Sequence, residues 1–375
     1  MRGIRILYLL AYLLAAMLLL GSCVTSAPEQ SSQLVAEAPT QSDDDLGALA
    51  NAPAHIRMAF VGDCTLAMYN GDGESAHRFP KVYENAGSLT YPFDLVRHLF
   101  ARDDLTVINF EGALTEQTEH ANKRYFFKGP PEYAAILPAA SIEAVTLANN
   151  HSRDYFEQGF LDTKAYLERA GVRVAYEDNP LIVEIQGVEV VIIGDNTAFL
   201  QGITEEQVAQ RVLWQIKNYK RDDNIVIINI HWGIEREIMP TLWQKKIARS
   251  WVDAGADLVV GHHPHILQGI ELYQGKYIAY SLGNFAFGGN FTAPYKETAI
   301  LHATAIAACD KPPQIEIAVT PCYITSSNLR GRDGILINNY QPMPVTGEQA
   351  EQVIALILQR SALLENGVTE LRIES

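Results

Sequence analysis

The sequence predicts an α/β domain with largely buried strands, and three observations carry that prediction. Apolar runs of strand length alternate with segments whose apolar residues recur at helical spacing. The runs are almost uninterrupted by charge, as strands covered on both faces tend to be. Nearly every run also ends in an unusual polar residue, which places a ligand crevice at the carboxyl ends of the strands.

In chain order, MRGIRILYLLAYLLAAMLLLGSC runs from two arginines into an apolar stretch and stops at small residues before Cys23. This pattern is an export signal over residues 1–22. LGSC resembles the bacterial lipoprotein box, which makes Cys23 the lipidated first residue of the mature chain. The alternative is an uncleaved transmembrane anchor, because the run is close to the spanning length of about 20 residues. Residues 23–51 are rich in Ser, Gln, Ala, Pro and Asp with no periodic apolar pattern, which reads as a flexible tether. The folded domain is expected over residues 52–330, followed by a C-terminal extension over 331–375.

Strands are predicted at IRMAFVG (56–62), LTVINF (105–110), EAVTLA (143–148), NIVIINI (224–230), DLVVG (257–261) and KYIAYSLG (276–283). Between them PFDLVRHLF, FLDTKAYLERA, TEEQVAQRVLWQIKNYK and LWQKKIARSWVDA carry helical spacing. LIVEIQGVEVVII (181–193) reads as a hairpin turning at Gln186-Gly187. ETAILHATAIAAC and QIEIAVTPCYI form a second hairpin near the end of the sheet, and EQAEQVIALILQR (348–360) is an amphipathic helix packing on the outside.

The net charge of −15 argues against a nucleic-acid partner. A polyanionic substrate needs a local basic or metallic site to overcome that field. Beyond Cys23 there are three cysteines, Cys64, Cys309 and Cys322, an odd number that gives no disulfide framework. The DKPP turn sets Gln314 rather than Cys322 opposite Cys309, so no bridge is predicted.

The polar strand ends are Asp63, Asn109 with Glu111, Asn149-Asn150-His151, His231, the histidines of GHHPH (His262, His263, His265) and Asn284. Brought together, carboxylates, amide oxygens and neutral imidazoles suit a hard or borderline divalent metal without any thiolate. A two-metal centre of that kind can polarise a phosphoryl oxygen and generate hydroxide near neutral pH. Each residue also has a plainer role open to it. Asp63 can cap a turn, His231 can be a satisfied core histidine, and His151 can hold the ANNH turn. Glu235 can orient His231 or lie on a solvated loop, and Cys64 can be a soft ligand or buried packing.

MAFVGDCTL, VINFEGALT, LANNHSRDYF, NIHWGIERE and DLVVGHHPHILQG, with SLGNFAF, resemble in order and spacing the CapA or PgsA-type capsule (poly-γ-glutamate) synthesis proteins, a branch of the calcineurin-like metallophosphatases. The resemblance covers about residues 56–330 and implies a layered α/β sandwich with mixed central sheets. It implies one or two Mn, Fe or Zn ions held by Asp63, Glu111, Asn150, His231, His263 and His265, with His151 as catalytic acid. His262 in place of His263 remains open on spacing alone. Lys128 and Asn284 are the implied substrate contacts. One departure stands out: the superfamily's first block reads D-x-H, and here Asp63 is followed by Cys64 and Thr65.

Two functions follow as expectations. One is a lipid-anchored, metal-dependent hydrolase of the cell envelope acting on a phosphoester or an anionic exopolymer. The other is a non-catalytic accessory or polymer-binding subunit of a membrane capsule-synthesis complex. Family resemblance implies a capsule ligase and a small membrane subunit as partners in either case.

Overall fold

A computed structural model describes residues 53–69, 76–198, 200, 202–308 and 311–374. The predicted signal (1–22), Cys23, the tether (23–51) and Cys309 lie outside the described residues. No described helix is long and apolar enough to cross a membrane.

The strands in chain order are β1 (Ala54–Thr65), β2 (Met68–Tyr69), β3 (Leu105–Phe110), β4 (Ala113–Leu114), β5 (Phe127–Gly129), β6 (Ala144–Thr146), β7 (Arg173–Ala175), β8 (Leu181–Ile185) and β9 (Val188–Asn196). They continue as β10 (Ile225–His231), β11 (Leu258–His262), β12 (Ile270–Tyr273), β13 (Lys276–Ala279), β14 (Asn284–Phe287), β15 (Glu297–Ala308), β16 (Lys311–Tyr323), β17 (Met343–Pro344) and β18 (Arg372–Ile373). The longer helices are α1 (Phe79–Ala86), α2 (Phe156–Arg169), α3 (Glu205–Tyr219), α4 (Leu242–Asp253) and α5 (Gly347–Ser361).

One sheet has the order β17-β16-β15-β1-β3-β6-β7, with β14 parallel to β1 and β18 parallel to β16. A second has the order β12-β13-β11-β10-β9-β8, and β2-β5-β4 forms a small third sheet. The two large sheets are mixed: β1 runs parallel to β3 but antiparallel to β15. Successive side chains of a strand face opposite sides, and this divides the core. Ile56, Met58 and Phe60 of β1 join Ile192, Ile227 and Val260 in the central layer. Ala59 and Val61 pack outward with Phe160 and Leu167 of α2. On the far side, Ile193, Val226 and Ile228 meet Val212 and Ile216 of α3 and Trp251 of α4. The result is the layered α/β sandwich with mixed sheets that the sequence implied.

Helices α3 and α4 each start on a capping box, with Thr204 and Thr241 accepting from the backbone N–H of Gln207 and Gln244. The β8–β9 hairpin turns at Gln186 and Gly187 with φ of 52° and 81°, the left-handed pair a tight hairpin requires.

One sequence expectation needs correction. The segment 276–283 is not one strand: β13 stops at Ala279, and after Gly283 the chain joins the other sheet as β14. The described residues after 330 pack on the same large sheet. Strands β17 and β18 extend the large sheet, and Val353, Ile354 and Ile357 of α5 belong to the central core rather than to an outer layer.

Candidate metal centre

The carboxyl ends of β1 and β3 in one sheet and of β10 and β11 in the other meet at one rim, and the turn after β6 closes it. The meeting depends on backbone approaching backbone. Asp63 N–H donates to Gly283 O at 2.8 Å. A Cβ at Gly62 would lie 2.1 Å from that same oxygen, and one at Gly261 would lie 2.0 Å from Tyr280 O. Glycine at these two positions lets the crossing segment 280–283 press against both sheets, one residue before Asp63 and two before His263. His263 itself is held at φ 96° and His265 at φ 57°, strain of the kind that clusters at functional sites.

Glu111 stands at the middle. It is fully buried, and neither carboxylate oxygen has a hydrogen-bond partner. Its Oε1 lies 3.7 Å from His151 Nε2, 3.9 Å from His231 Nε2 and 3.9 Å from His265 Nε2. On one flank His231 Nε2 is 2.7 Å from Asn150 Oδ1 and 3.1 Å from His263 Nδ1. Donor atoms about 3 Å apart are what neighbouring ligands show around an ion with bonds of about 2.0–2.2 Å. On the other flank, ligand atoms of Asp63, Glu111 and His265 all lie within 4.8 Å of one another. His265 Nδ1 is 3.1 Å from Asp63 Oδ2 and 2.8 Å from Asn284 Oδ1. Both are acceptors, so Nδ1 carries the proton and Nε2 is left to face Glu111.

Burial sets the charge states, and the neighbours then modify them. Burial drives the Glu111 carboxyl well above its ordinary range, and the negative charge of Asp63 adds to that. The same burial acts on Asp63, but the His262 and His265 imidazoles outweigh it and hold this carboxyl well below its usual value. His263 is pushed down to about 3 by burial and by His265, and His231 falls well below the ordinary imidazole value for the same reason, with His263 adding to it. Burial also opposes charge on His265, yet Glu111 and Asp63 raise it to about 10. Of the four imidazoles nearest Glu111, three are thus kept neutral, the form that ligates metal; His151 too is lowered, by burial against the pull of Asp154.

The structure brings together Asp63, Glu111, Asn150, His151, His231, His263, His265 and Asn284 from the sequence reading. His262 takes a different place. Its Nδ1 is 3.2 Å from Asp63 Oδ1, without an aligned hydrogen bond, while it is His263 that meets His231. Lys128 is not gathered in: its Nζ donates to Gln117 O at 2.7 Å and lies over the Tyr155 ring. Cys64 points into the apolar layer beneath the helices, where burial raises its thiol, so it packs and does not ligate. Glu235 is exposed, and His231 Nδ1 instead lies 3.2 Å from Asn109 Nδ2, which also donates to Asp63 Oδ1 at 2.8 Å. Thr65, at the place of the superfamily's histidine, is buried with its hydroxyl unpartnered. Two residues went unseen as site elements in the sequence, Asp154 and Lys123 around His151, while Asn109, a named strand end, takes the role of a bridge. The i, i+3 spacing of His151 and Asp154 after a strand was the one local signal.

The family model "Bacterial capsule synthesis protein PGA_cap" matches residues 57–289, which include every residue of this cluster. The chain is 32% identical over 271 residues to "PGA biosynthesis protein CapA" of Bacillus subtilis, covering 68% of this chain and 66% of that protein. It is 31% identical over 260 residues to "Capsule biosynthesis protein CapA" of Bacillus anthracis, covering 63% and 61%. A "probable polyglutamine synthesis accessory protein" of Mycobacterium tuberculosis is 29% identical over 208 residues, covering 48% of this chain and 55% of that protein. The chain therefore spans about two thirds or less of the length of these relatives. Among solved structures, a hypothetical protein from Thermus thermophilus aligns over 71% of this chain and 99% of its own, with a TM-score of 0.44 and 14% identity. On the extent of the family match and the identity to its relatives, the chain belongs to the CapA-type family of bacterial capsule synthesis proteins.

Proposed function

We propose that this chain is an exported, lipid-anchored protein of the cell envelope that serves capsule or poly-γ-glutamate synthesis through a divalent-metal site. The role in capsule synthesis is carried over from the names of its relatives. The metal rests on one observation: a fully buried Glu111 whose two oxygens have no partner, facing three imidazole nitrogens at 3.7–3.9 Å. A carboxylate so placed is destabilising unless a cation completes it. Asn150, His231 and His263 would hold an ion with Glu111 on one flank, and Asp63 and His265 on the other. A bound Mn, Fe or Zn ion supplies Lewis acidity toward a phosphoryl or carbonyl oxygen. The chain's own contribution is to exclude water behind Asp63 and Glu111, to orient His265 through Asn284, and to present His151 Nε2 beside Glu111 for proton transfer.

Metal analysis of the chain purified without chelator tests this. One or two bound ions, lost in Asp63→Asn and His265→Ala while the fold is retained, are expected. A folded wild type that stays metal-free after addition of Mn or Zn would refute it.

A second reading is favoured by Thr65, which leaves the Asp63 flank one imidazole short of the superfamily pattern. On that reading the pocket binds polymer or braces a ligase and a small membrane subunit without turning over. A metal-loaded chain that retains anionic polymer but cleaves neither phosphoesters nor polyglutamate would select it.

A further inference from the structure

We propose that a groove along α4 is a docking site for an extended acidic peptide chain, and that Glu365 holds the place of a ligand carboxylate at Arg249 until the chain binds. Leu242, Lys245, Lys246, Arg249 and Asp253 recur on α4 at i, i+3, i+4, i+7 and i+11, one stripe of the helix. With Glu365 from the turn after α5 they line a cavity of about 500 Å³ that shares no residue with the metal centre. The other stripe of α4, with Ile247, Ala248 and Trp251, is buried against the second sheet.

Arg249 is pinned from behind. Its Nε donates to the buried Glu271 Oε1 at 2.8 Å, a second guanidinium nitrogen lies 2.6 Å from the same oxygen, and the Tyr273 ring lies beneath. Tyr280 Oη and Asn366 Nδ2 donate to Glu271 at 2.7 and 3.1 Å and fix it in turn. The remaining Arg249 nitrogen donates to Glu365 Oε2 at 2.7 Å. The Glu365 side chain is 74% exposed, and so exposed an ion pair contributes little, so a competing carboxylate displaces it at small cost. Lys245 and Lys246 have no such partner: among the described residues neither side chain forms a hydrogen bond or an ion pair. Asp253 at the far end is occupied, with Oδ1 accepting from Gln274 Nε2 at 2.8 Å and Oδ2 3.5 Å from Tyr273 Oη. Two unpaired ammonium groups and one exchangeable guanidinium position thus face the groove, in a chain of formal net charge −15.

The same geometry selects the ligand. A carboxylate already fills the Arg249 position, the pairing that a guanidinium favours. Along the axis Lys245 and Arg249 are about 6 Å apart at 1.5 Å per residue, close to the roughly 7 Å between same-face side chains of an extended peptide. Leu242, 80% exposed and one turn before Lys245, offers an apolar contact to the chain's methylene groups. A concave groove takes a chain rather than a flat bilayer surface.

Fluorescence anisotropy of a labelled poly-L-glutamate peptide titrated with the protein tests this. Wild type should bind the peptide, and less tightly as salt rises. Lys245→Glu combined with Lys246→Glu should weaken binding by about tenfold or more, whereas Glu365→Gln should strengthen it severalfold by freeing Arg249. Failure of wild type to bind, or unchanged binding in the lysine variant, overturns the proposal. If the lysine variant does not fold, Glu365→Gln still decides, because unchanged or weaker binding there refutes the place assigned to Glu365. Binding should be the same with and without added Mn; a requirement for Mn would put the peptide at the metal centre and sink the groove. Inorganic polyphosphate bound as tightly as the peptide would show that the groove reads charge alone and overturn the carboxylate assignment.

Discussion

Glu111 and His265 give the residue scale its clearest consequence. Both are raised above their ordinary values without metal, Glu111 by burial and His265 by its carboxylate neighbours against burial. A metal ion ligated by both must displace their protons, so binding releases protons and tightens as pH rises. Mn binding to the chain is expected to strengthen from pH 6 to pH 8, with a calorimetric heat that changes with the buffer's ionisation enthalpy. A pH-independent affinity would contradict it. The same two groups act on stability. A group whose folded pKa is raised contributes stability that is present below its unfolded value and lost as pH climbs through the folded one. The His265 contribution is lost between about 6.5 and about 10. The metal-free chain should therefore melt at a lower temperature at pH 9 than at pH 7, and His265→Gln should flatten that slope. Most of this cluster was legible as polar residues ending apolar runs. Asp154 and Lys123 were not, because Lys123 reaches Asp154 from a separate loop and no periodicity records that contact.

The decisive element is the short crossing from β13 to β14. It carries Asn284 from one sheet to a register position beside Asp63 in the other. The contacts that allow this are the missing side chains of Gly62 and Gly261, whose Cβ atoms would sit about 2 Å from backbone oxygens of the crossing. Backbone oxygens cannot move aside as a side chain can, so Gly62→Ala is expected to destabilise the protein by about 3 kcal/mol. It should weaken metal binding too, because Asp63 is the next residue. Urea denaturation and metal titration of the same variant measure both effects, and a fully stable Gly62→Ala would disprove the close approach. The buried strands were readable because their apolar runs have strand length. The crossing was not, since KYIAYSLG is apolar on either side of the change of sheet and both of its halves are buried. The two- and three-residue strands β2, β4 and β5 carry too few positions for any period. Trp232 and Trp251 stack in the core while Trp214 on α3 is mostly exposed, since periodicity gives a helix its apolar stripe but does not fix the face of each residue.

Across the whole molecule, the two ends of β1 serve different purposes. Its carboxyl end holds Asp63, and Arg57, six residues earlier in the strand, reaches Glu374, the residue after β18. At about 3.3 Å per residue the two positions are roughly 20 Å apart. At the amino end Arg57 pairs with Glu374 and lies 3.4 Å from Asp103 Oδ1, and Asp103 is buried with His302 Nδ1 at 3.4 Å from its other oxygen. This cluster binds the last residues of the chain to the sheet, which is why the region after 330 belongs to the domain although the resemblance to known sequences ends there. Arg57→Met would leave Asp103 buried with less compensation and release Glu374, at a cost of roughly 1–3 kcal/mol. Perturbations this far apart with no shared partner act independently. Arg57→Met should therefore lower the urea midpoint while leaving the metal affinity as in wild type. A parallel loss of metal binding would mean that the sandwich transmits strain from its closing strand to the rim, and the two ends would then have to be treated as one cooperative device.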